Sequence, residues 1–374
     1  MRLLHKQEIE DIARGSAVLG TGGGGDPYLG QLAAIQAIET YGPLQLAEID
    51  DLPDDTLVAF PFAIGSPVPF LERITMSREL VTAYQAMSRY FGKPIGAVMS
   101  IEIGGLNSVL PFAVGRELGL PVIDGDCMGR AYPEIQLVTL TLYGHSAAPL
   151  VVADEHGNVA IIDTVSNTWA ERLARPVAVE MGAIAGGFGY PITVKDLKEA
   201  AILGTVSFAE RIGKAIRMAQ REHRDPVAAA LETAGGFRLF SGRIVDVARK
   251  TQKGWALGET RIAGVDAFAG REMTVRFQNE HLVAIENDEI VVAVPDLIAI
   301  LDTERGEPIT TENLRYGFRV TVIAIPCDPK WRTPEGIALG GPRHFGYDIE
   351  FVPVEERLGA NANVNTNVNG AHPA

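Results

Sequence analysis

Two acids, a thiol and a guanidinium fall within one seven-residue stretch, Asp124-Gly-Asp126-Cys127-Met-Gly-Arg130. It directly follows the apolar run at residues 121–123. Such runs read as buried strands, and open α/β sheets bind ligands just beyond the carboxyl ends of their strands. A thiol between carboxylates holds its proton more tightly, because like charge opposes the thiolate. Arg130 offsets that effect, and a metal ion would do so more strongly. Asp124 and Cys127 therefore form part of a metal set, with His145 as the third ligand and Glu102 as a further donor. A thiol with an imidazole favours zinc. No H-x-x-x-H or C-x-x-C pattern accompanies them. The competing reading makes Cys127 a small buried hydrophobe beside two loop-capping aspartates.

Glu102 is the second candidate. It ends a strand-like run and is flanked by Ile101 and Ile103. A carboxylate there is either desolvated, which suits general acid–base work, or paired with Arg116 or Arg130. The third candidate is the loop Gly20-Thr-Gly-Gly-Gly-Gly-Asp26. It satisfies G-x-G-x-x-G, yet a helix rather than a strand precedes it, so it fails the dinucleotide context. Its amides, those of Gly22, Gly23 and Gly24, suit a carboxylate or a polarised ring atom. The alternative is a tight structural turn.

These residues need elements to position them. The spacing predicts helices over residues 9–19, 27–41 and 73–91, with Asp26 capping the second and Pro27 in its first turn. Strands are expected at 44–49 and 57–62. Residues 95–123 read as a β-α-β crossover, with Asn107 or Ser108 capping a helix over 109–118. Its two strands are then parallel, which brings Glu102 beside Asp124, Asp126 and Cys127. A short helix at 133–143 and a hairpin turning at 156–158 follow. Residues 167–234 read as mostly helical, over 170–185, 194–220 and 226–233. Runs at 243–248, 273–277, 282–286, 290–294 and 320–325 read as antiparallel strands. The expected fold is an α/β N-terminal domain with a partly parallel sheet (1–165). A C-terminal domain, helical and then antiparallel β-rich (166–358), follows it. The Asn-rich tail (359–374) is expected to be disordered.

The 374 residues suffice for two cores, and 47% are hydrophobic. A net charge of −14 opposes nucleic-acid or anionic-membrane binding. No apolar stretch reaches membrane-spanning length, the first residues lack a signal-peptide core, and Cys127 and Cys327 are the only cysteines. A cytoplasmic protein is expected. Apolar strand edges in the β half suggest a homo-oligomer.

Taken together, the segments Leu19-Gly-Thr-Gly-Gly-Gly-Gly-Asp-Pro27, Ile103-Gly-Gly-Leu-Asn-Ser108, Val122-Ile-Asp-Gly-Asp-Cys-Met-Gly-Arg-Ala-Tyr-Pro-Glu134, Gly242-Arg-Ile-Val-Asp-Val-Ala-Arg249, Gln278-Asn-Glu280 and Phe345-Gly-Tyr-Asp348 resemble the S-methyl-thiohydantoin desulfurase family. The resemblance covers residues 5–355. It implies paired N- and C-terminal family domains and association with hydantoinase and oxoprolinase enzymes. It also implies hydrolytic removal of sulfur from a thiohydantoin ring formed in the breakdown of histidine-derived thiols. The residue reading joined to it is a hydrolase acting on a thiohydantoin- or hydantoin-like ring. Glu102 or Asp126 serves as base, and a metal on Asp124, Cys127 and His145 polarises the substrate. Without the metal, Cys127 attacks directly. Gly22, Gly23 and Gly24 receive developing charge, Asn107 binds substrate and Arg130 pairs with a substrate carboxylate. Two other readings are an accessory subunit of a hydantoinase- or oxoprolinase-type enzyme, and a nucleotide-dependent enzyme using the glycine loop.

Overall fold

The computed structural model describes residues 1–65, 77–252 and 255–365. The expected helix start at 73–76 and the tail beyond 365 lie outside them. The first part of the expected disordered tail is helical instead, in Val354–Asn365.

An eight-stranded sheet organises the first half, in the order β1 (Arg2–Leu4), β2 (Leu44–Ala47), β5 (Val122–Ile123), β4 (Ala97–Met99), β3 (Leu57–Gly65), β9 (Ile184–Thr193), β7 (Leu150–Ala153) and β8 (Val159–Ile162). Its parallel centre is β2 (Leu44–Ala47), β5 (Val122–Ile123), β4 (Ala97–Met99) and β3 (Leu57–Gly65). The β-α-β reading holds: β4 leads through a helix, Gly105–Leu118, into parallel β5. That helix starts earlier than expected, capped by Gly104, so Asn107 lies inside it rather than at its cap. Helices α1 (Lys6–Leu19) and α2 (Pro27–Tyr41) precede it. As expected, Asp26 caps α2, accepting from Tyr28 N at 2.9 Å, with Pro27 in the first turn. The hairpin β7 (Leu150–Ala153) and β8 (Val159–Ile162) closes one edge of the sheet.

Two expectations for residues 167–234 are corrected. The helix expected to end at 185 stops at Glu180, and residues 184–185 open β9 (Ile184–Thr193), paired antiparallel with β3 and β7. This strand is buried on both faces and rich in glycine, so it carries neither alternation nor strand propensity. Its glycines are required by packing: a Cβ at Gly187 would come within 2.6 Å of the Phe62 ring. The helix expected over 194–220 breaks into Val194–Ala200 and Thr205–Arg221. Between them β10 (Ile202–Leu203) pairs with β6 (Gly125–Asp126). Likewise, the short helix expected at 133–143 shrinks to Thr139–Leu142.

The second half is a seven-stranded antiparallel sheet in the order β15 (Glu289–Ala293), β14 (Glu280–Glu286), β13 (Glu272–Gln278), β12 (Trp255–Gly264), β11 (Phe237–Gln252), β17 (Arg319–Ile325) and β16 (Leu297–Asp302). All five apolar runs expected to be strands lie in it, within β11 (Phe237–Gln252), β13 (Glu272–Gln278), β14 (Glu280–Glu286), β15 (Glu289–Ala293) and β17 (Arg319–Ile325). The chain is thus an α/β N-terminal half followed by helices and an antiparallel β-rich half. The halves share one core, in which Val98 and Ile123 belong with Leu282, Leu297 and Trp331. A second cluster around Phe240, Ile262 and Val275 fills the antiparallel sheet.

Candidate active site

A cavity of about 470 Å³ opens where the two halves meet. Its wall is largely apolar and aromatic, with Phe60, Phe62, Leu106, Met128 and Tyr190. Asp26, Glu102, Glu134, Glu280 and Glu312, with Arg175 and Arg249, interrupt that wall, and of these acids Glu102 and Glu280 are the buried ones.

Glu102 follows β4 and is 4% exposed. Its Oε1 accepts from Asn107 Nδ2 at 2.6 Å and its Oε2 from Tyr132 N at 3.4 Å. Burial pushes its pKa up to about 7, against the pull of these two donors, and nearby Asp126 adds to the rise. The salt bridges to Arg116 or Arg130 do not form. Arg116 donates to the carbonyls of Gly42 and Tyr41, and Arg130 to other carbonyls.

Glu280 begins β14 and is 2% exposed. Burial, and then the charge of Glu102, hold its carboxyl far above the usual range, while Arg130 pulls the other way. Its Oε2 has no hydrogen-bond partner. In the sequence Glu280 stands out only as the end of the family-like segment Gln278-Asn-Glu280. Nothing local marks it, because the first residue of a strand gains its setting from contacts made by the other half of the chain.

The glycine loop is the seam between these parts. Gly23, Gly24 and Gly25 line the cavity, whereas Gly22 packs on the His281 ring instead. Gly23 N donates to Gly20 O at 2.9 Å. Of the three amides expected to receive charge, that of Gly23 already serves a protein acceptor, and Gly22 lies outside the cavity lining. The loop is needed for closeness, since a Cβ on Gly23 would lie 2.0 Å from Glu280 Oε1.

The acidic-thiol turn lies behind the cavity wall. Cys127 is fully buried, its N donates to Ile101 O at 3.1 Å, and burial raises its thiol well above the ordinary value. It belongs to the core cluster, a setting that disfavours the thiolate a nucleophile or ligand needs. Asp124 accepts from Ser207 N and Oγ in the first turn of the helix Thr205–Arg221. Asp126 Oδ2 accepts from Ile103 N, Met128 N and Gly129 N at 2.8–3.0 Å. Burial still raises Asp126 to about 7. Its role is to fix the loop carrying Glu102 rather than to act as base. His145, half-buried just past Thr139–Leu142, does not join Asp124 and Cys127. Among the described residues no group of three or more His, Cys, Asp or Glu side chains could hold a metal ion, so Asp124, Cys127 and His145 are not brought together as the expected set.

Arg130 does not reach the cavity either. It is fully buried and donates to the carbonyls of Ala131, Pro295, Asp296 and His281 and to Thr21 Oγ1. It fastens the two halves together and is not free to meet a substrate carboxylate. Asn107 does line the cavity, facing Glu102. The segment at 341–348 packs against the same wall, with Phe345 stacked on Tyr132 and His344 3.6 Å from Glu134.

Family models named S-Me-THD-like, N-terminal domain and S-Me-THD-like, C-terminal domain match residues 7–164 and 165–354. The chain belongs to the S-Me-THD-like family. The resemblance read from its motifs is thereby shown, and membership ties the chain to thiohydantoin-related chemistry in general. No curated protein sequence matches it. A crystal structure of a protein from Chromobacterium violaceum is similar in fold, with a TM-score of 0.80 and 21% identity, covering 95% of this chain and 100% of that one. No helix among the described residues is long and apolar enough to cross a membrane.

Proposed function

We propose that this S-Me-THD-like protein is a hydrolase that removes sulfur from a thiohydantoin-like ring, with Glu102 and Glu280 as its acid–base pair. The observation that carries the reading is two nearly inaccessible carboxyl groups, electrostatically coupled, in one aromatic-walled cavity. Buried neighbouring carboxyls hold their protons unequally, which separates a base from an acid. Glu102, near 7, supplies the base, and Glu280 keeps its proton.

Glu102 takes a proton from water as the water oxygen bonds to the ring carbon bearing sulfur. Glu280 gives its proton to the adjoining ring nitrogen. In the collapse, the new hydroxyl returns a proton to Glu280 and the carbon–sulfur bond breaks. The leaving sulfur takes the proton held by Glu102. The ring gains a carbonyl, a thiol departs, and both carboxyls regain their starting states. The apolar wall excludes bulk water and strengthens each charge interaction inside.

The test is turnover of 2-methylthio-hydantoin by purified protein, followed by release of free thiol and by chromatography of the hydantoin product. Thiol release that E102Q and E280Q each lower by roughly 100-fold or more supports the reading. Absence of thiol release from a panel of S-alkyl thiohydantoins overturns it.

A further inference from the structure

Asn107 stands on the cavity wall with both ends of its amide committed. The Ala63 backbone N–H can only donate, so the atom it meets at 3.1 Å is the carbonyl oxygen, Oδ1. The amide nitrogen is thereby turned toward Glu102 Oε1, 2.6 Å away, where it can only donate. Donors directed at a carboxyl group favour its charged form. The Tyr132 N–H adds a second one at Oε2. Glu280 is held differently: its Oε2 is buried without a hydrogen-bond partner.

We propose that Asn107 is a positioning residue, whose locked amide assigns the negative charge of the pair to Glu102 and leaves the proton on Glu280. The proposal rests on the acid–base reading above. It gives Asn107 a task other than holding substrate. The titratable groups that face Glu102 are Asp126 from β6 and Glu280 from β14; Tyr132 meets it only through its backbone N–H. Arg130 is placed near Glu280 and Tyr132. None of these donates a side-chain hydrogen bond to Glu102; that contact belongs to Asn107.

The deciding experiment is a carbon NMR titration of the full chain, labelled at the glutamate carboxyl carbons. E102Q and E280Q assign the two signals. In the unaltered protein Glu102 should ionise before Glu280. In N107L, which keeps the branched shape and removes the donor, ionisation of Glu102 should move upward by about one pH unit. N107S, a smaller change, should move it the same way and covers the case in which N107L does not fold. Glu280 ionising first in the unaltered protein, or Glu102 unmoved in the folded variants, overturns the proposal. The titration needs no substrate, so it stands apart from the turnover test. Where 2-methylthio-hydantoin is turned over, N107L should lower kcat by roughly tenfold or more with KM within about twofold. The acid limb of its pH profile should move upward.

Discussion

A carboxyl group held near 7 in the folded chain binds a proton that the unfolded chain releases several pH units lower. Glu102 and Asp126 both do this, against ordinary values of 4.5 and 3.8. Their contribution to stability is therefore complete below the unfolded values and is lost as pH rises through about 7. E102Q removes the Glu102 share. Its melting temperature relative to the unaltered protein should be higher at pH 8 than at pH 5, by a stability on the order of 3 kcal/mol. Paired thermal melts at the two pH values check this. Activity should fall as pH drops below about 7, because protonated Glu102 cannot accept a proton from water. Cys127 behaves otherwise. Cys127→Ala should keep turnover within about threefold and lose only about 1–2 kcal/mol of stability, the cost of a small buried cavity. Kinetics beside a denaturant titration separate these effects.

At the scale of elements, the glycine loop between α1 and α2 works by having no side chains. Gly22 O accepts from Thr311 N, Gly24 O accepts from Leu106 N, and Thr21 O accepts from His281 N, so one loop joins three other segments. Gly23→Ala would push Glu280 aside, and its turnover should fall by roughly 100-fold with a modest change in melting temperature. Gly24→Ala meets the Gly104 carbonyl at 2.4 Å and requires a left-handed backbone, φ +79°. It should cost about 1–3 kcal/mol of stability. A loop that bound phosphate would instead give both variants the same loss of ligand affinity.

For the whole molecule, the cavity exists only while the halves stay joined. Arg130 is the fastening: from the N-terminal half it reaches the carbonyls of Pro295, Asp296 and His281. R130M leaves those carbonyls bare at about 1–3 kcal/mol each. Urea unfolding of R130M should show a lower midpoint and a lower slope, the slope reporting that the halves no longer unfold as one.

The residue types and local patterns determined much of this protein. The crossover ending at Val122–Ile123, the Asp26 cap and the alternating strands of the second half are set by neighbours in sequence, through propensity, capping and period. Glu102 was legible as well, because a carboxylate beside a buried apolar run has few places to go. Its partner was not. Glu280 sits 178 residues away by numbering, and only the packing of β14 against the glycine loop makes it a buried acid. The same packing turned Asp124, Asp126, Cys127 and Arg130 inward as caps, core and clasp. A sequence shows which groups can react. Which of them face a cavity and which face the core follows from burial, and burial is a property of the assembled chain.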